Sequence, residues 1–451
     1  MGDYLIKNAQ IINEGKISAS DILIRDKRIE RIDPSIDVKF KAEEINAEGL
    51  HLMPGIIDDQ VHFREPGLTH KATIYSEARA GIAGGVTSFM EMPNTNPPAV
   101  TIKLLEEKYA VAAQTSLANH SFYMGTNLTN FKELMKVDKT RICGIKIFMG
   151  SSTGDMLVDD PEVLERIFCE RNDILIAAHC EDDKLVKERL DLYKERYGDN
   201  IPFECHAEIR NEQVCLNSSS YAVELANKFN SRLHVFHLST EEELKLFRND
   251  IPLKDKRITS EICVHHLWFD KGDYDKLGSK IKCNPAIKEA RHKKALFEAL
   301  LDDRLDVIAT DHAPHTLEEK SHSYLKAPSG LPLIQHSLNL MLEFYHQGRI
   351  SLERIIEKMC HAPAICFEVK DRGYIREGYY ADLALFDLHK RYTVRDSDKP
   401  DGNVLYKCEW SPLNGYEFTG KVLKTLVNGN IVYDNGNFNE RIKGERLEFN
   451  R

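Results

Sequence analysis

The sequence lacks the features that mark several classes of protein. No apolar run reaches the roughly 18 residues that a membrane-spanning helix needs. The opening residues, MGDYLIK, show no basic segment followed by an apolar one, so we expect neither a membrane span nor a secretory signal. Positive charge is also scarce: 61 Lys and Arg against 71 Asp and Glu leave a formal charge of -10, which argues against a nucleic-acid partner. The absence of a short-period repeat or low-complexity tract argues against a solenoid.

The cysteines lack the spacing of a disulfide framework. The chain has ten of them, without a C-x-x-C pair and without regular intervals. Free thiols are typical of a reducing compartment, so we expect a cytoplasmic protein.

The two ends of the chain resemble each other in pattern. At 451 residues the chain is too long for one small core, so a large domain and a smaller one are expected. Residues 1–54 and 369–451 consist of short alternating runs with turn signals, and Asn428-Gly429 is typical of a β-hairpin. These patterns predict one small β-sandwich formed by both chain termini.

The middle of the chain, residues 55–368, alternates short apolar runs with amphipathic segments. The candidate strands are Ile56–His62, Val86–Met92, Ser121–Gly125, Gly144–Met149, Ile174–His179, Arg232–His237, Arg257–Val264 and Asp306–Thr310. A strand followed by a helix, repeated eight times, is typical of the α/β class and predicts a (β/α)8 TIM-like barrel.

Candidate metal ligands lie where these strands end. His62, His179 and His237 end the first, fifth and sixth strands. Lys146 lies within the fourth strand, and Asp311 follows the eighth. Barrel enzymes build their sites at the carboxyl ends of the strands, so we expect these five side chains to converge. Imidazole and carboxylate together favour Zn²⁺ or a similar divalent ion.

Lys146 is the unusual member of this set, because an ammonium group does not bind a cation and is costly to bury. One interpretation is a lysine whose amine reaches the rim of the barrel. The other is a lysine carboxylated by CO₂, whose carbamate oxygens could bridge two metal ions.

These residues lie within longer motifs. They are VHFREPGLTHKATIYSEARAGIAGGVTSFMEMPNTNPP (61–98), GIKIFMGSSTGDMLVD, AAHCED, HVFHLST, NPAIK and ATDHAPH (309–315). With them the chain resembles the amidohydrolase superfamily, and within it the dihydroorotases, from about Tyr4 to Tyr433. The resemblance implies a distorted barrel with a β-sandwich, one or two Zn²⁺ per chain, a carbamate on Lys146, and a homodimer.

The resemblance also implies a reaction, the reversible cyclisation of N-carbamoyl-L-aspartate to L-dihydroorotate and water in de novo pyrimidine (UMP) biosynthesis. A metal-held hydroxide would attack the ring carbonyl, and Asp311 would act as base and then as acid. Arg64 has the planar fork that matches a substrate carboxylate. Asn94, Asn284 and His315 are the other substrate-binding positions that the resemblance implies.

Three features leave alternatives open. Arg64 could instead form a salt bridge with Glu65, and Asn94 and Asn284 could be turn residues near proline. The segment Met149–Asp159 is rich in Gly, Ser and Thr, and is either a mobile lid or a plain loop. His234 lies an odd number of residues before His237, which predicts the opposite face of the strand, and it is assigned no role.

Gln60 departs from the family pattern, which has a histidine at this position. Amide oxygen is a weaker ligand for Zn²⁺ than imidazole. Gln60 could bind through its oxygen, Asp58 on the same strand face could replace it, or one metal ion could be weak or missing. The rival functions are a related cyclic amidase, such as a hydantoinase or allantoinase, and a catalytically silent partner subunit.

Overall fold

A computed structural model of the chain describes residues 2–150 and 155–451. In these ranges the strands are β1 (Tyr4–Asn13), β2 (Lys16–Arg25), β3 (Arg28–Asp33), β4 (Glu43–Asn46), β5 (His51–Pro54), β6 (Ile56–Val61), β7 (Val86–Glu91), β8 (Asn119–Phe122), β9 (Met124–Gly125), β10 (Ile145–Phe148), β11 (Leu175–His179), β12 (Arg232–Val235), β13 (Ile258–Cys263), β14 (Val307–Ala309), β15 (Leu383–Thr393), β16 (Glu417–Val427), β17 (Asn430–Asp434) and β18 (Asn437–Phe438).

The helices of the described ranges are α1 (Ile74–Ala83), α2 (Ile102–Thr115), α3 (Phe131–Leu134), α4 (Pro161–Glu170), α5 (Asp183–Tyr197), α6 (His206–Ile209), α7 (Glu212–Phe229), α8 (Val264–Trp268), α9 (Tyr274–Leu277), α10 (Ala290–Leu301), α11 (Leu317–Lys320), α12 (Ser337–His346), α13 (Leu352–Ile356) and α14 (Ala362–Phe367). A π-helical turn, Glu357–His361, joins α13 to α14.

Strands β6 to β14 form the barrel. Parallel pairing joins β6, β7 and β8, and it joins β9 through β14 in chain order. Only Tyr123 separates β8 from β9, so the two together form the third predicted strand. His62 N donates to His312 O at 2.7 Å, which closes the ring between its last and first strands. The prediction of a barrel is confirmed, and the strand ends differ by at most two residues.

The barrel strands are buried along almost their whole length, with Arg232 and Ile258 half-buried at the start of β12 and β13. Every residue of β10 and of β11 is buried. Parallel strands covered by helices are expected to be almost continuously apolar. Lys146 and His179 interrupt these two strands, and their polar groups need a specific partner or a cavity.

Side-chain caps determine where several of the surrounding helices begin. Thr73 caps α1 by accepting from Ser76 N in a capping box, and Asn211 caps α7 by accepting from Val214 N. The sequence predicts a helix at Lys184–Tyr197, and α5 confirms it, but only Val186 of α5 is buried. The next long helix, α7, has a long buried face and covers the barrel after β11 in place of α5.

The remaining strands form one sheet from both ends of the chain. Its order is β18-β17-β16-β15-β5-β1-β2-β3, with β4 beside β1. Leu383 of β15 pairs antiparallel with Pro54 of β5, which joins the two termini as predicted. Asn428 and Gly429 connect β16 to β17 with φ of 48° and 70°, the signature of the predicted type I′ hairpin. The domain limits at 54 and 368 stay a prediction.

Two further expectations concern the whole chain. The ten cysteines all lie within the described residues, and each has a free thiol. Within the same ranges, no helix has the length and apolar character required to cross a bilayer.

Candidate active site

A cavity of about 320 Å³ opens at the carboxyl ends of the barrel strands. Its lining contains every side chain that the sequence proposed for the site, namely Gln60, His62, Arg64, Asn94, Lys146, His179, His237, Asn284, Asp311 and His315. Phe148, Arg210, Ala313, Pro328, Ser329 and Gly330 complete the lining. The barrel thus brings the predicted residues together, while their individual roles remain predictions.

His62 and Asp311 form the first pair of candidate ligands. His62 Nδ1 lies 2.9 Å from Asn94 Oδ1 and donates to it, which leaves Nε2 without a proton in the neutral ring. This bare nitrogen lies 3.1 Å from Asp311 Oδ1. Burial by itself raises the pKa of Asp311, but a proton on His62 Nε2, donated to the carboxylate, holds that pKa below its ordinary value, so the carboxylate is ionised at neutral pH.

His179 and His237 form the second pair. His179 Nε2 lies 2.9 Å from Glu181 Oε2 and donates to it, so Nδ1 is the bare nitrogen. That atom lies 2.9 Å from His237 Nε2, and the two ring planes are at 80°. Burial opposes the ionisation of Glu181, and its ion pair with Arg210 together with His179 lowers the pKa of this carboxyl group well below the ordinary value.

Both pairs have the donor arrangement of a metal centre. The facing donor atoms lie 3.1 Å apart in the first pair and 2.9 Å apart in the second, so a proton or a cation lies between them; in the second pair His237 Nε2 can supply the proton, because His237 Nδ1 has no hydrogen-bond partner among the described residues. In His62 and His179 the opposite ring nitrogen donates to an oxygen, which is the usual environment of a metal-binding histidine. The residues present therefore fit a divalent metal ion.

Lys146 lines the same cavity as the two pairs, and its amine group lies beside two aromatic rings. Its Nζ is 4.1 Å from the centre of the Phe236 ring and 4.7 Å from that of Phe148, and it has no hydrogen-bonding or ionic partner among the described residues. Burial lowers the pKa of this amine to about 7. A neutral amine is the form that reacts with CO₂, so the surroundings of Lys146 are compatible with a carbamate.

Gln60 faces the cavity, and Asp58 does not line it. Gln60 Oε1 accepts from Cys263 Sγ at 3.5 Å, a long contact that leaves the amide able to reorient. Asp58 is engaged elsewhere. Its Oδ2 accepts from Thr310 Oγ1 at 2.7 Å, and its Oδ1 accepts from the backbone N–H of Gln60 at 3.4 Å. Of the two candidate replacements for histidine, Gln60 is the one with access to the site.

Arg64, Lys71 and His315 form a cationic corner of the site. Arg64 Nη2 lies 3.0 Å from His315 Nε2, and Lys71 Nζ lies 3.0 Å from His315 Nδ1. Burial first, and then the charge of Arg64, keep the pKa of His315 well below its ordinary value, so the ring is neutral. Arg64 is buried and forms no ion pair with Glu65, whose carboxylate instead accepts from Ile74 N at 2.9 Å. Glu319 pairs with Lys71 at 3.0 Å, so the guanidinium of Arg64 is the charge in this corner that would attract an anionic substrate group.

Three of the lining residues have left-handed backbone conformations. The φ angles of Arg64, His237 and Asp311 are 66°, 38° and 45°. Such angles are uncommon for residues other than glycine and cost roughly 1–3 kcal/mol each. The surrounding fold therefore holds these side chains in orientations that a regular strand would not give them.

The structure adds residues that the sequence did not indicate. Glu181 lies two residues after His179, so the strand period could have identified it. Arg210 lies between α6 and α7, and Lys71 lies in the loop after β6, and neither position carried a recognisable signal. The lid hypothesis concerns 149–159, and because residues 151–154 lie outside the described residues it stays a prediction.

Comparison with known proteins agrees with this geometry. A model of the amidohydrolase family matches residues 51–432. A dihydroorotase from Halobacterium salinarum is 32% identical over 94% of this chain and 95% of its own length, and one from Methanosarcina acetivorans is 30% identical over 99% and 96%. The solved L-hydantoinase of Arthrobacter aurescens superimposes with a TM-score of 0.90 at 26% identity, covering 97% of this chain and 98% of its own. The chain belongs to the amidohydrolase family, and within it to the dihydroorotases.

Proposed function

We propose that this protein catalyses the reversible cyclisation of N-carbamoyl-L-aspartate to L-dihydroorotate and water, a step of pyrimidine synthesis. The observation that carries the proposal is the combination, in one cavity, of two pairs of metal-type donor atoms with a cationic corner. A metal ion held by the two pairs of donor atoms would promote the hydrolysis of an amide. The cationic corner around Arg64 would bind a substrate that has a carboxylate. The name shared by the two relatives supports the same activity.

His62 with Asp311, and His179 with His237, would hold one or two Zn²⁺ ions, and a carbamate on Lys146 would supply further oxygen ligands. When bound, a divalent ion lowers the pKa of water to near 7 and polarises a carbonyl group. Glu181 and Asn94 keep the rings of His179 and His62 in the tautomer that leaves a bare nitrogen toward the ion. Gln60 would be a weak additional ligand through Oε1.

Asp311 would move the proton. Its pKa below the ordinary value means that it is ionised at neutral pH and ready to accept a proton from the attacking water. In the hydrolytic direction the protonated Asp311 would then donate to the leaving nitrogen of the ring. The strained backbone at this residue holds the carboxylate toward the cavity.

Arg64 would bind the carboxylate of the substrate. Its Nε donates to Pro314 O at 3.1 Å, which fixes the plane of the guanidinium group and leaves the remaining N–H groups for the substrate. Asn94 and His315 would bind the carboxylate together with Arg64, and Asn284 would contact the polar edge of the ring; all three line the cavity.

The direct test is the rate of L-dihydroorotate hydrolysis, with bound metal counted on the same sample. Turnover with bound metal supports the proposal. A protein that binds metal but leaves dihydroorotate unchanged would contradict it, and a protein with neither metal nor turnover would favour the silent partner subunit.

Hydantoinase-type activity is the second candidate, because the Arthrobacter structure is so similar. The cationic corner distinguishes the two, since hydantoin and dihydrouracil carry no carboxylate. We therefore expect a kcat/KM for dihydroorotate that exceeds those for the two uncharged rings. The order should reverse in Arg64→Ala, and an unchanged preference in that variant would contradict the assignment of Arg64.

The protein would act in the cytoplasm, in agreement with its free thiols.

The homodimer that the resemblance implies is best tested by light scattering of the purified protein. Carboxylation of Lys146 is best tested by carbon NMR after exchange with isotope-labelled CO₂. We expect a carbamate signal from the metal-loaded protein that is absent from Lys146→Ala.

A further inference from the structure

A second group of ligand-type side chains lies inside the barrel, outside the lining of the cavity. Asp59 of β6, His234 of β12 and Glu261 of β13 each direct one donor atom to a common point, within 4.8 Å of one another. All three side chains are 0% exposed. Nothing in the sequence pattern or in the proposed reaction gives these residues a role.

Thr259 lies beside the other ring nitrogen of His234. Its Oγ1 is 2.8 Å from His234 Nδ1 and 3.4 Å from Leu233 O, so Nδ1 can donate to Thr259 when the hydroxyl donates to Leu233 O. In that tautomer Nε2 is a bare nitrogen. It lies 3.2 Å from Asp59 Oδ2 and 3.4 Å from Glu261 Oε2. Three bases therefore meet in a dry region of the barrel.

A single proton at Nε2 would leave two of the four carboxylate oxygens of Asp59 and Glu261 without a hydrogen-bond donor. Both carboxylate oxygens of Asp59 are buried without a hydrogen-bond partner among the described residues. Glu261 Oε1 accepts from His237 N at 3.2 Å, and its Oε2 faces His234. One N–H group donates well to only one oxygen, whereas a cation attracts both carboxylates and the nitrogen together.

The distances also agree with a tetrahedral ion. With metal–ligand bonds of about 2.0–2.1 Å, neighbouring ligand atoms of a tetrahedral Zn²⁺ lie roughly 3.3 Å apart. The two contacts of His234 Nε2, at 3.2 and 3.4 Å, lie on either side of that value, and the three donor atoms all lie within 4.8 Å of one another. Burial and the Asp59 carboxylate raise the pKa of Glu261 well above its ordinary value, and a divalent ion would favour its ionised form, in which two carboxylates and a neutral imidazole balance the charge. With Nε2 as the donor atom, Nδ1–H would donate to Thr259, the outer hydrogen bond that a metal-binding histidine normally has.

We propose that Asp59, His234 and Glu261 form a buried structural site for a divalent cation, with Zn²⁺ as the ion that best suits the donors. This core site is distinct from the pairs in the cavity and lies beneath them. Cys263 Sγ connects the two levels, at 3.5 Å from Glu261 Oε1 and 3.5 Å from Gln60 Oε1. The ion would tie β6, β12 and β13 together, and its burial would make its exchange slow. The inference does not depend on the proposed reaction.

The test counts metal in a variant whose cavity pairs have been disabled. His62→Ala with His179→Ala removes one donor from each pair and leaves the core site intact. We expect this protein, produced with zinc, to retain about one ion per chain that survives prolonged dialysis against a chelator. Adding Asp59→Asn, which keeps the shape but removes the charge, should reduce the content to near zero. Cobalt in place of zinc should give visible absorption bands that disappear with the same substitution.

A matched control is Asp58→Asn, because Asp58 is an equally buried neighbour whose carboxylate contacts Thr310 instead. It should leave the retained ion in place. If the Asp59 variant fails to fold, wild-type protein provides a second measurement: one ion per chain should resist the chelator after the cavity metal and the activity are lost.

Two outcomes would overturn the proposal. One is a cavity-disabled protein, or a chelated wild-type protein, that holds no ion. The other is a retained ion that Asp59→Asn does not remove. A proton would then take the place of the cation. In that state burial lowers the pKa of His234, and the two carboxylates raise it to about 9, which gives an imidazolium at neutral pH.

Discussion

At the residue scale, single hydrogen bonds bear on which nitrogen of three buried histidines is free to bind a metal ion. Asn94 takes the Nδ1 proton of His62 and Glu181 takes the Nε2 proton of His179, while Thr259 Oγ1 lies 2.8 Å from Nδ1 of His234 and can accept its proton. Each acceptor lies opposite the nitrogen that faces another base. Residues that never touch the substrate therefore determine the ligand geometry.

Gln60→His should strengthen metal binding in the cavity. Gln60 already faces the cavity, so an imidazole there would add a strong ligand beside His62 and Asp311. We expect the affinity for the more weakly held ion to rise about tenfold or more, equivalent to about 1.4 kcal/mol. Titration with a competing chelator measures this change. Gln60→Ala is the control and should not gain affinity, and an unchanged affinity in the histidine variant would show that position 60 does not reach the ion.

Asp311→Asn should abolish most of the turnover. An amide cannot accept the proton, and loss of general acid–base catalysis typically costs about 10²–10⁴ in rate. The measurement is kcat for dihydroorotate hydrolysis, with metal content determined in parallel to separate loss of proton transfer from loss of the ion. Full turnover in this variant would show that another group moves the proton.

At the scale of elements, short turns with left-handed backbone determine the registers of the terminal sheet. Glu14 and Gly15 connect β1 to β2 with φ of 50° and 73°, and Asn428 and Gly429 connect β16 to β17 with 48° and 70°. The two turns have similar backbones and different surroundings. A Cβ on Gly429 would lie 2.8 Å from Lys27 Cα, whereas a Cβ on Gly15 would contact nothing within 4 Å.

This contrast predicts that Gly429→Ala is more destabilising than Gly15→Ala. Both substitutions carry the cost of a left-handed alanine, roughly 1 kcal/mol. Only the first also forces the backbone of Lys27 to move, so its loss in the free energy of unfolding should be larger by about 1–3 kcal/mol. Urea denaturation of the two variants beside the wild type checks the order. Equal losses would mean that the β2–β3 turn shifts without cost.

At the scale of the whole molecule, a buried polar network joins the barrel to the terminal sheet. Arg372 and Asn428 N both donate to the carboxylate of Asp382, and Asn119 Nδ2 of β8 donates to it at 3.1 Å. Asn428 Nδ2 donates to Asn119 Oδ1 at 2.8 Å. All four residues are buried, so the C-terminal strands of the sheet are fixed to the barrel through charged and polar groups.

Asp382→Ala should therefore destabilise the molecule strongly. It leaves the buried guanidinium of Arg372 without its nearest carboxylate, and removing one partner of a buried ion pair costs about 3–5 kcal/mol. Thermal unfolding followed by circular dichroism measures the effect. Asp398→Ala, at an exposed ion pair with Lys399, is the control and should change stability by less than about 1 kcal/mol. A loss in Asp382→Ala as small as in the control would mean that water replaces the carboxylate.

The sequence by itself determined the barrel, because its strands are buried on both faces and read as apolar runs separated by helical segments. It also indicated ten of the residues that line the cavity, since His62, His179 and His237 each lie at or just beyond the carboxyl end of such a run. The Asn428-Gly429 turn was equally readable, because few residue pairs accept two positive φ angles.

Only the tertiary structure decided which partners these side chains have. Lys71 and Arg210 join the site because loops distant in sequence fold over the same end of the barrel. Asp59, His234 and Glu261 meet because ring closure brings β6, β12 and β13 together, and a break in the regular pairing between Asp58 and Val61 accompanies this arrangement. Sequence periodicity describes one element at a time, whereas such contacts depend on how separate elements are packed against one another.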